Sequence, residues 1–208
     1  MRLVLASNNA KKLAELKALF DGLPLDLVAQ GALGVPEAEE PHASFVENAL
    51  VKARHAARAA GGAAVADDSG LCVAALGGAP GVVSAHAAGP VAVQGDREAV
   101  RLAQDAANNA WLLQQLHGHT DRRARFVCTL VALRHADDPE PLIAFGRWEG
   151  QILAAPSGQG GFGYDPLMWI PALGATVAEL PADRKNAHSH RALAAREMRA
   201  LMQQAWGL

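Results

Sequence analysis

The sequence predicts a mixed α/β fold, with one mixed sheet, flanking helices and two lobes around a central cleft. Three observations carry this. Strand-like apolar runs and amphipathic helices alternate through the first half of the chain. Two long strand-like runs, 123–134 and 141–153, follow one another directly in the second half. Half of the 208 residues are hydrophobic, enough for one substantial core. No internal repeat, low-complexity tail or linker interrupts the chain, so 1–208 reads as a single domain with two lobes.

Residues 2–6 form a short apolar strand and Ser7-Asn8-Asn9 a polar turn. A helix over 10–20 then places Leu13, Leu16, Leu19 and Phe20 on one face. Such a strand–turn–helix unit presents backbone N–H groups that favour an anion. Residues 25–28 form a second strand, and 31–42 a loop holding Glu37, Glu39, Glu40 and two prolines. A long helix begins near Ser44, because Ser44 and Glu47 have capping-box spacing. Phe45, Ala49, Ala53, Ala56 and Ala57 supply its apolar stripe, and the alanines permit close packing on a sheet. A short central strand over 63–66 ends at Asp67-Asp68-Ser69-Gly70. Beyond it, 71–76 is extended or mixed, 96–116 helical, 123–134 and 141–153 antiparallel strands joined by a turn at 136–140, and 187–206 a last helix.

Charge and composition exclude several functions. A formal net charge of -2 leaves no broad nucleic-acid surface, although a local cation cluster could still take a small anion. Cys72 and Cys128 lack metal or disulfide spacing and read as two buried reduced thiols. The apolar start is too short for a signal peptide, and Lys11 and Lys12 follow soon after. Residues 69–95 contain no Asp, Glu, Lys or Arg, but their glycines and prolines would repeatedly break a spanning helix. The expectation is a cytoplasmic protein without membrane contact.

Four clusters carry candidate chemistry. Ser7, Asn8, Asn9 and Lys12 can hydrogen-bond and neutralise phosphate, or can simply cap a helix. Glu40 and Asp67-Asp68 offer oxygen ligands to Mg2+. Successive strand residues face opposite ways, so Asp67 and Asp68 cannot both aim into one site; alternatively both open a turn before Gly70. The run Gly158-Gln159-Gly160-Gly161-Phe162-Gly163-Tyr164-Asp165-Pro166 presents an isolated aromatic ring and a carboxylate on a backbone that a flat ligand can approach. Gly158, Gly160 and Gly163 satisfy G-x-G-x-x-G, yet Pro156 and Pro166 flank them where a dinucleotide motif should open a helix. Lys185, His190 and Arg191 add donors. His188 and His190, two residues apart, would lie on different sides of a helix, with no third metal ligand evident. Ring, cations and donors together suit a nucleotide. No P-loop and no G-x-S-x-G nucleophile motif is present.

Taken in order, these pieces resemble the Ham1/inosine triphosphate pyrophosphatase family. The matching segments are Ser7-Asn8-Asn9-Ala10-Lys11-Lys12 with Glu15, Glu39-Glu40 with Phe45-Val46-Glu47-Asn48-Ala49, and Ala66-Asp67-Asp68-Ser69-Gly70-Leu71. They continue with Ala75-Leu76-Gly77-Gly78-Ala79-Pro80-Gly81, Gly161-Phe162-Gly163-Tyr164-Asp165-Pro166, Ala178-Glu179-Leu180, Lys185 and Ser189-His190-Arg191. Each is weak alone; the ordered set spans nearly the whole chain.

The resemblance implies a cytoplasmic, homodimeric, Mg2+-dependent enzyme that cleaves dITP, ITP and XTP to the monophosphate and pyrophosphate in a cleft that binds the nucleotide. It implies that Ser7, Asn9, Lys12 and Lys52 hold the triphosphate, with Asn8 in the same turn. Glu40 and Asp68 would hold the metal, with Asp68 also the base that activates water. Phe162 would stack on the purine, while Tyr164 and Asp165 shape the pocket. Lys185, His190 and Arg191 would read the keto oxygens. Ser69 and Gly163 join the substrate-binding set within their matched motifs. Asn8 stands where the family usually has glycine, and Val83, His86 and Ala87 replace a tyrosine, an arginine and a second aromatic. A pyrophosphatase for modified pyrimidine nucleotides and a nucleotide-binding protein without turnover remain alternatives. A purine-versus-pyrimidine substrate panel tests the first, and the joint presence of Glu40, Asp68 and Lys12 argues against the second.

Overall fold

The computed structural model describes residues 1–93 and 95–208. The chain divides into two compact units, one built from Met1–Ser69, Cys128–Arg147 and His188–Leu208, the other from Gly70–Val127 and Trp148–Ala187. The elements run β1 (Arg2–Leu5), α1 (Ala10–Leu19), β2 (Asp26–Ala29), α2 (Phe45–Ala60), β3 (Ala64–Val73), α3 (Arg97–Gln115), β4 (Arg123–Leu133) and β5 (Leu142–Ile152). They continue with β6 (Met168–Ile170), β7 (Ala175–Thr176), α4 (Ala182–His188) and α5 (His190–Trp206). The strands form one mixed sheet in the order β2-β1-β3-β4-β5-β6-β7, which bears out the mixed α/β expectation.

In the first unit, β1 pairs in parallel with β2 and with β3, placing Leu3 opposite Leu27 and Leu5 opposite Val65. Side chains alternate across each strand. Leu3, Leu5, Val65, Cys128 and Leu130 pack with Leu16 of α1, its C-cap Phe20, and Ala194, Ala195 and Met198 of α5. Val4, Ala6, Ala64, Ala66, Val131 and Leu133 pack with Ala49, Ala53, Ala56 and Ala57 of α2. The alanine stripe predicted for α2 is therefore its buried face. Ser44 caps this helix as expected, its hydroxyl accepting from the Glu47 N–H and donating to the Glu47 carboxylate. On the other side, Gly146 of β5 permits close approach of α5, because a Cβ there would strike the carbonyl of His190 and the amide of Ala194.

In the second unit, β6 pairs antiparallel with β5 and with β7. Leu71, Val73, Leu112, Leu116, Phe126, Trp148, Leu167 and Met168 form its core. Arg122 fastens the end of α3 to β5, donating to the carbonyls of Leu116, Ile152 and Leu153.

Three expectations need correction. The central strand does not end before Asp67: β3 continues through both aspartates and Gly70 to Val73. β1 pairs with it at Ala64 and Val65, so its extension follows β4, its other neighbour in the sheet, and outweighs the local turn preference of Asp-Asp-Ser-Gly. The last helix does not start at 187. Ser189, extended at φ -64° and ψ 158°, separates α4 from α5 and accepts a hydrogen bond from the Ala192 N–H as the N-cap. Cys128 is buried, but Cys72 is only partly so. Among the described residues, no helix is long and apolar enough to cross a membrane.

Candidate active site

In the first unit, alternation along β3 sends its two aspartates to opposite faces, as their adjacency requires. Asp67 shares the face of Val65 and meets α5 and α1. Its Oδ2 accepts from Arg191 Nε at 2.7 Å and from the Cys128 thiol at 3.4 Å; its Oδ1 accepts from Lys12 Nζ at 2.6 Å and Ser69 Oγ at 2.7 Å. Arg191 Nη1 reaches Glu15 Oε2 at 2.5 Å. Burial alone would raise the Asp67 pKa, but the Arg191 and Lys12 charges outweigh it and hold the carboxyl well below its ordinary value. Burial likewise pushes the Cys128 thiol up, so this cysteine stays protonated and is no nucleophile.

Asp68 shares the face of Ala64 and Ala66 and meets α2. Its Oδ1 accepts from Lys52 Nζ at 2.8 Å, and the same ammonium donates to Glu40 Oε2 at 3.0 Å. Asp68 is only 5% exposed, yet its Oδ2 has no hydrogen-bond partner among the described residues. Burial, reinforced by the Glu40 charge and opposed by Lys52, pushes the Asp68 carboxyl up to about 6. Burial also acts against charge on Glu40 and Lys52. Attraction to Lys52 prevails at Glu40 and leaves it below its ordinary value, while Asp68 first and then Glu40 leave Lys52 above its own.

Two carboxylates thus share one ammonium, and the cluster lacks one positive charge. Among the described residues, no group of three or more His, Cys, Asp and Glu side chains is placed to hold an ion. Glu40 and the unpartnered Asp68 oxygen offer a half-shell of hard oxygen ligands. That fits Mg2+, which binds through one or two carboxylates, keeps waters and accepts substrate phosphates.

The Ser7-Asn8-Asn9 turn is well tied. Asn9 caps α1, accepting from the N–H groups of Lys11 and Lys12, and its own N–H donates to Ser7 Oγ. Asn8 Nδ2 donates to Glu37 Oε1. Asn8 therefore occupies the turn without a positive φ, and its side chain braces the acidic loop.

In the second unit, Asp165 organises the glycine-rich loop. Its Oδ2 accepts from the Phe162 N–H and from Lys185 Nζ, both at 3.0 Å. Lys185 Nζ lies 4.5 Å from the centroid of the half-buried Phe162 ring. Gly161, at φ +74°, lets this turn close, because a Cβ there would collide with the Asp165 carboxylate. The segment runs through turns and opens no helix, as its flanking prolines require.

Each predicted residue thus has a place. Glu40, Lys52 and Asp68 form one cluster; Lys12, Ser69 and Arg191 gather around Asp67; Phe162, Gly163, Asp165 and Lys185 form a third group. Tyr164 departs from its expected position as part of the pocket wall. It lies 5% exposed in the core and its hydroxyl donates to the Ser84 carbonyl at 2.9 Å, so it anchors the loop. Arg191, expected as a free donor, is 1% exposed and ion-paired on two sides. His190 is buried in the first turn of α5 beside Gly146.

Two supporting residues carry no role in the sequence reading. Asp105 accepts from the Gly163 N–H and Asn109 donates to the Gly163 carbonyl, so α3 grips the loop from both sides. The signal was a polar stripe of Gln104, Asp105, Asn108 and Asn109 at helical spacing.

Fold and side chains together define an α/β protein equipped for phosphate chemistry beside a carboxylate pair. The chain belongs to the Ham1 family, whose profile matches residues 3–201. It is 71% identical over 206 residues to the dITP/XTP pyrophosphatase of Methylibium petroleiphilum, covering 99% of each chain. It is 66% identical over 211 residues to the dITP/XTP pyrophosphatase of Leptothrix cholodnii, covering 100% of both. Among solved structures, a Ham1 protein from Coxiella burnetii superposes with a TM-score of 0.88 at 42% identity, over 99% of this chain and 100% of that one. The Staphylococcus aureus Ham1 protein gives 0.82 at 35% identity, over 98% and 99%.

Proposed function

We propose that this protein hydrolyses non-canonical purine nucleoside triphosphates (dITP, ITP and XTP) to the monophosphate and pyrophosphate, clearing them from the nucleotide pool. Family membership and the names of the relatives support the reaction. The observation on which the mechanism rests is Asp68: a buried carboxylate with one oxygen held by Lys52 and the other without a partner.

A water molecule adds its oxygen to the α-phosphorus, and the bond from that phosphorus to the bridging oxygen breaks. Asp68 Oδ2 takes the water proton, while its other oxygen stays anchored on Lys52. The bridging oxygen leaves with pyrophosphate. Lys12, loosening from Asp67, neutralises charge on the leaving group, and Lys52 adds its charge while it keeps hold of Asp68; Ser7 and Asn9 donate to the remaining phosphate oxygens. Glu40 would hold Mg2+ and Asp68 would position it, and the ion would screen the triphosphate charge when bound.

Base binding falls to the glycine-rich loop. Phe162 stacks on the purine, and Lys185, held by Asp165 beside the ring, is the donor nearest it. A six-keto oxygen accepts such a donor, whereas the amino group of adenine leaves it unpaired, a penalty of roughly 1–3 kcal/mol. Cytoplasmic location and a homodimer rest on the family resemblance alone.

The test is pyrophosphate release from ITP, XTP, dITP, ATP and modified pyrimidine triphosphates, each with Mg2+ and with excess chelator. Release from the three non-canonical purines with Mg2+ alone is expected. Full activity in chelator would remove the metal from the mechanism, and a preference for pyrimidines would remove the purine reading. Phe162→Ala should raise KM for ITP roughly tenfold, the scale of a lost base–aromatic stack, with a smaller change in kcat. An unchanged KM would take the base away from this ring.

A further inference from the structure

Glu40 belongs to a loop that has no regular structure of its own between the 3-10 turn Gln30–Leu33 and α2. Something must nonetheless hold its carboxylate beside Asp68, because like charges separate when free to do so. One tie is to the side chain, from Lys52. A second acts on the backbone. Asn48, 1% exposed in the first turns of α2, forms a reciprocal pair with His42: its Oδ1 accepts from the His42 N–H at 2.9 Å, and its Nδ2 donates to the His42 carbonyl at 3.1 Å. The side-chain amide thereby satisfies both polar groups of one loop residue, as a neighbouring strand would. His42 lies two residues from Glu40, and Asn48 lies one helical turn before Lys52, on the same face of α2.

We propose that Asn48 is a positioning residue for the metal pair, fixing the separation of Glu40 from Asp68 by clamping the acidic loop to α2. This rests on the assignment of Glu40 and Asp68 as the Mg2+ half-shell. One helix face then does two jobs, with Asn48 holding the Glu40 backbone and Lys52 holding its carboxylate. Two further ties of the loop, Asn8 to Glu37 and His55 to the Pro36 carbonyl, come before Glu40 in the chain and are exposed. Loss of the clamp lets Glu40 move away with the loop while the helix and Asp68 stay.

The test titrates Mn2+ into nucleotide-free wild type, Asn48→Ala, Asn48→Asp and Glu40→Gln, read by the electron paramagnetic resonance of free Mn2+. Hydrogen exchange at the His42 amide and the Mg2+ dependence of ITP cleavage are measured alongside. Asn48→Ala should weaken Mn2+ binding ~10-fold or more, the usual cost of losing an outer support of a metal ligand. It should speed His42 exchange and shift the Mg2+ requirement upward, with most turnover recovered at saturating Mg2+. Asn48→Asp keeps the acceptor for the His42 N–H and loses the donor, so it should fall between Ala and wild type, and it serves if the alanine variant does not fold. Unchanged Mn2+ affinity in both Asn48 variants, with weakened binding in Glu40→Gln, would overturn the clamp and leave the metal site standing. Unchanged affinity in Glu40→Gln would overturn the metal site and the clamp together.

Discussion

Asp68→Asn is expected to cut ITP turnover by about a hundred- to ten-thousand-fold, the usual contribution of a positioned general base, while leaving the protein at least as stable at neutral pH. The two halves of this result have one cause. Asp68 is buried, and burial raises its pKa to about 6 from its ordinary value of 3.8. A carboxyl whose folded pKa is raised contributes stability below its unfolded pKa and loses it as the pH rises through the folded value. Above pH 6 the ionised group therefore works against folding, and that ionised form is the one able to accept a proton from water. The amide is nearly the same shape, carries no charge and accepts no proton. The melting temperature of the variant relative to wild type should rise between pH 4 and pH 7, and wild-type kcat/KM should fall on acidification through the region near 6. A variant that melts well below wild type at pH 7 would mean that the Lys52 pair outweighs the cost of burying the charge. Near-normal turnover would move the base to another residue.

The main features of this arrangement were legible in the sequence because they depend on local rules. Adjacent strand residues face opposite ways, which was enough to assign Asp67 and Asp68 to different surroundings. Ser44 with Glu47 and the alanine stripe gave α2 its start and its buried face. What was not legible depends on partners distant in the chain. The length of β3 beyond Val65 follows from its neighbour β4, which no feature of Asp67-Asp68-Ser69-Gly70 reveals. The burial of Tyr164 depends on Ser84, eighty residues away. The break at Ser189 was accessible, since serine is a good N-cap, but the apolar spacing on either side hid it. The Asn48 clamp is only six residues long, yet a bond to loop backbone has no periodicity to detect.

Arg191 is the residue whose role changes most between sequence and structure, and Arg191→Ala has the second large expected effect. At the start of a helix a cation is unfavourable, which from sequence suggested that Arg191 serves a ligand. The fold supplies another reason for it. Asp67 is 1% exposed, and its negative charge is balanced chiefly by Arg191 at 2.7 Å and Lys12 at 2.6 Å. Removing the guanidinium leaves a buried carboxylate short of a partner and also takes one partner from Glu15, a loss of roughly 3–5 kcal/mol. For a chain of this length that is a fall in melting temperature on the order of 10 °C. Asp67 has a depressed pKa, so it contributes stability above its unfolded value that disappears as the pH falls through the folded one. In Arg191→Ala this acid-sensitive share should shrink, making the melting temperature less dependent on pH on the acid side. Asp67→Asn combined with Arg191→Met removes both charges and should recover much of the loss, because the cost lies in the unpaired charge. A single variant that melts like wild type, with its preference for ITP over ATP collapsed, would return Arg191 to reading the base. A parallel fall in melting temperature and in turnover on every triphosphate would place it in the scaffold that holds β3 against α5, so that Asp68 on the opposite face of the same strand keeps its place.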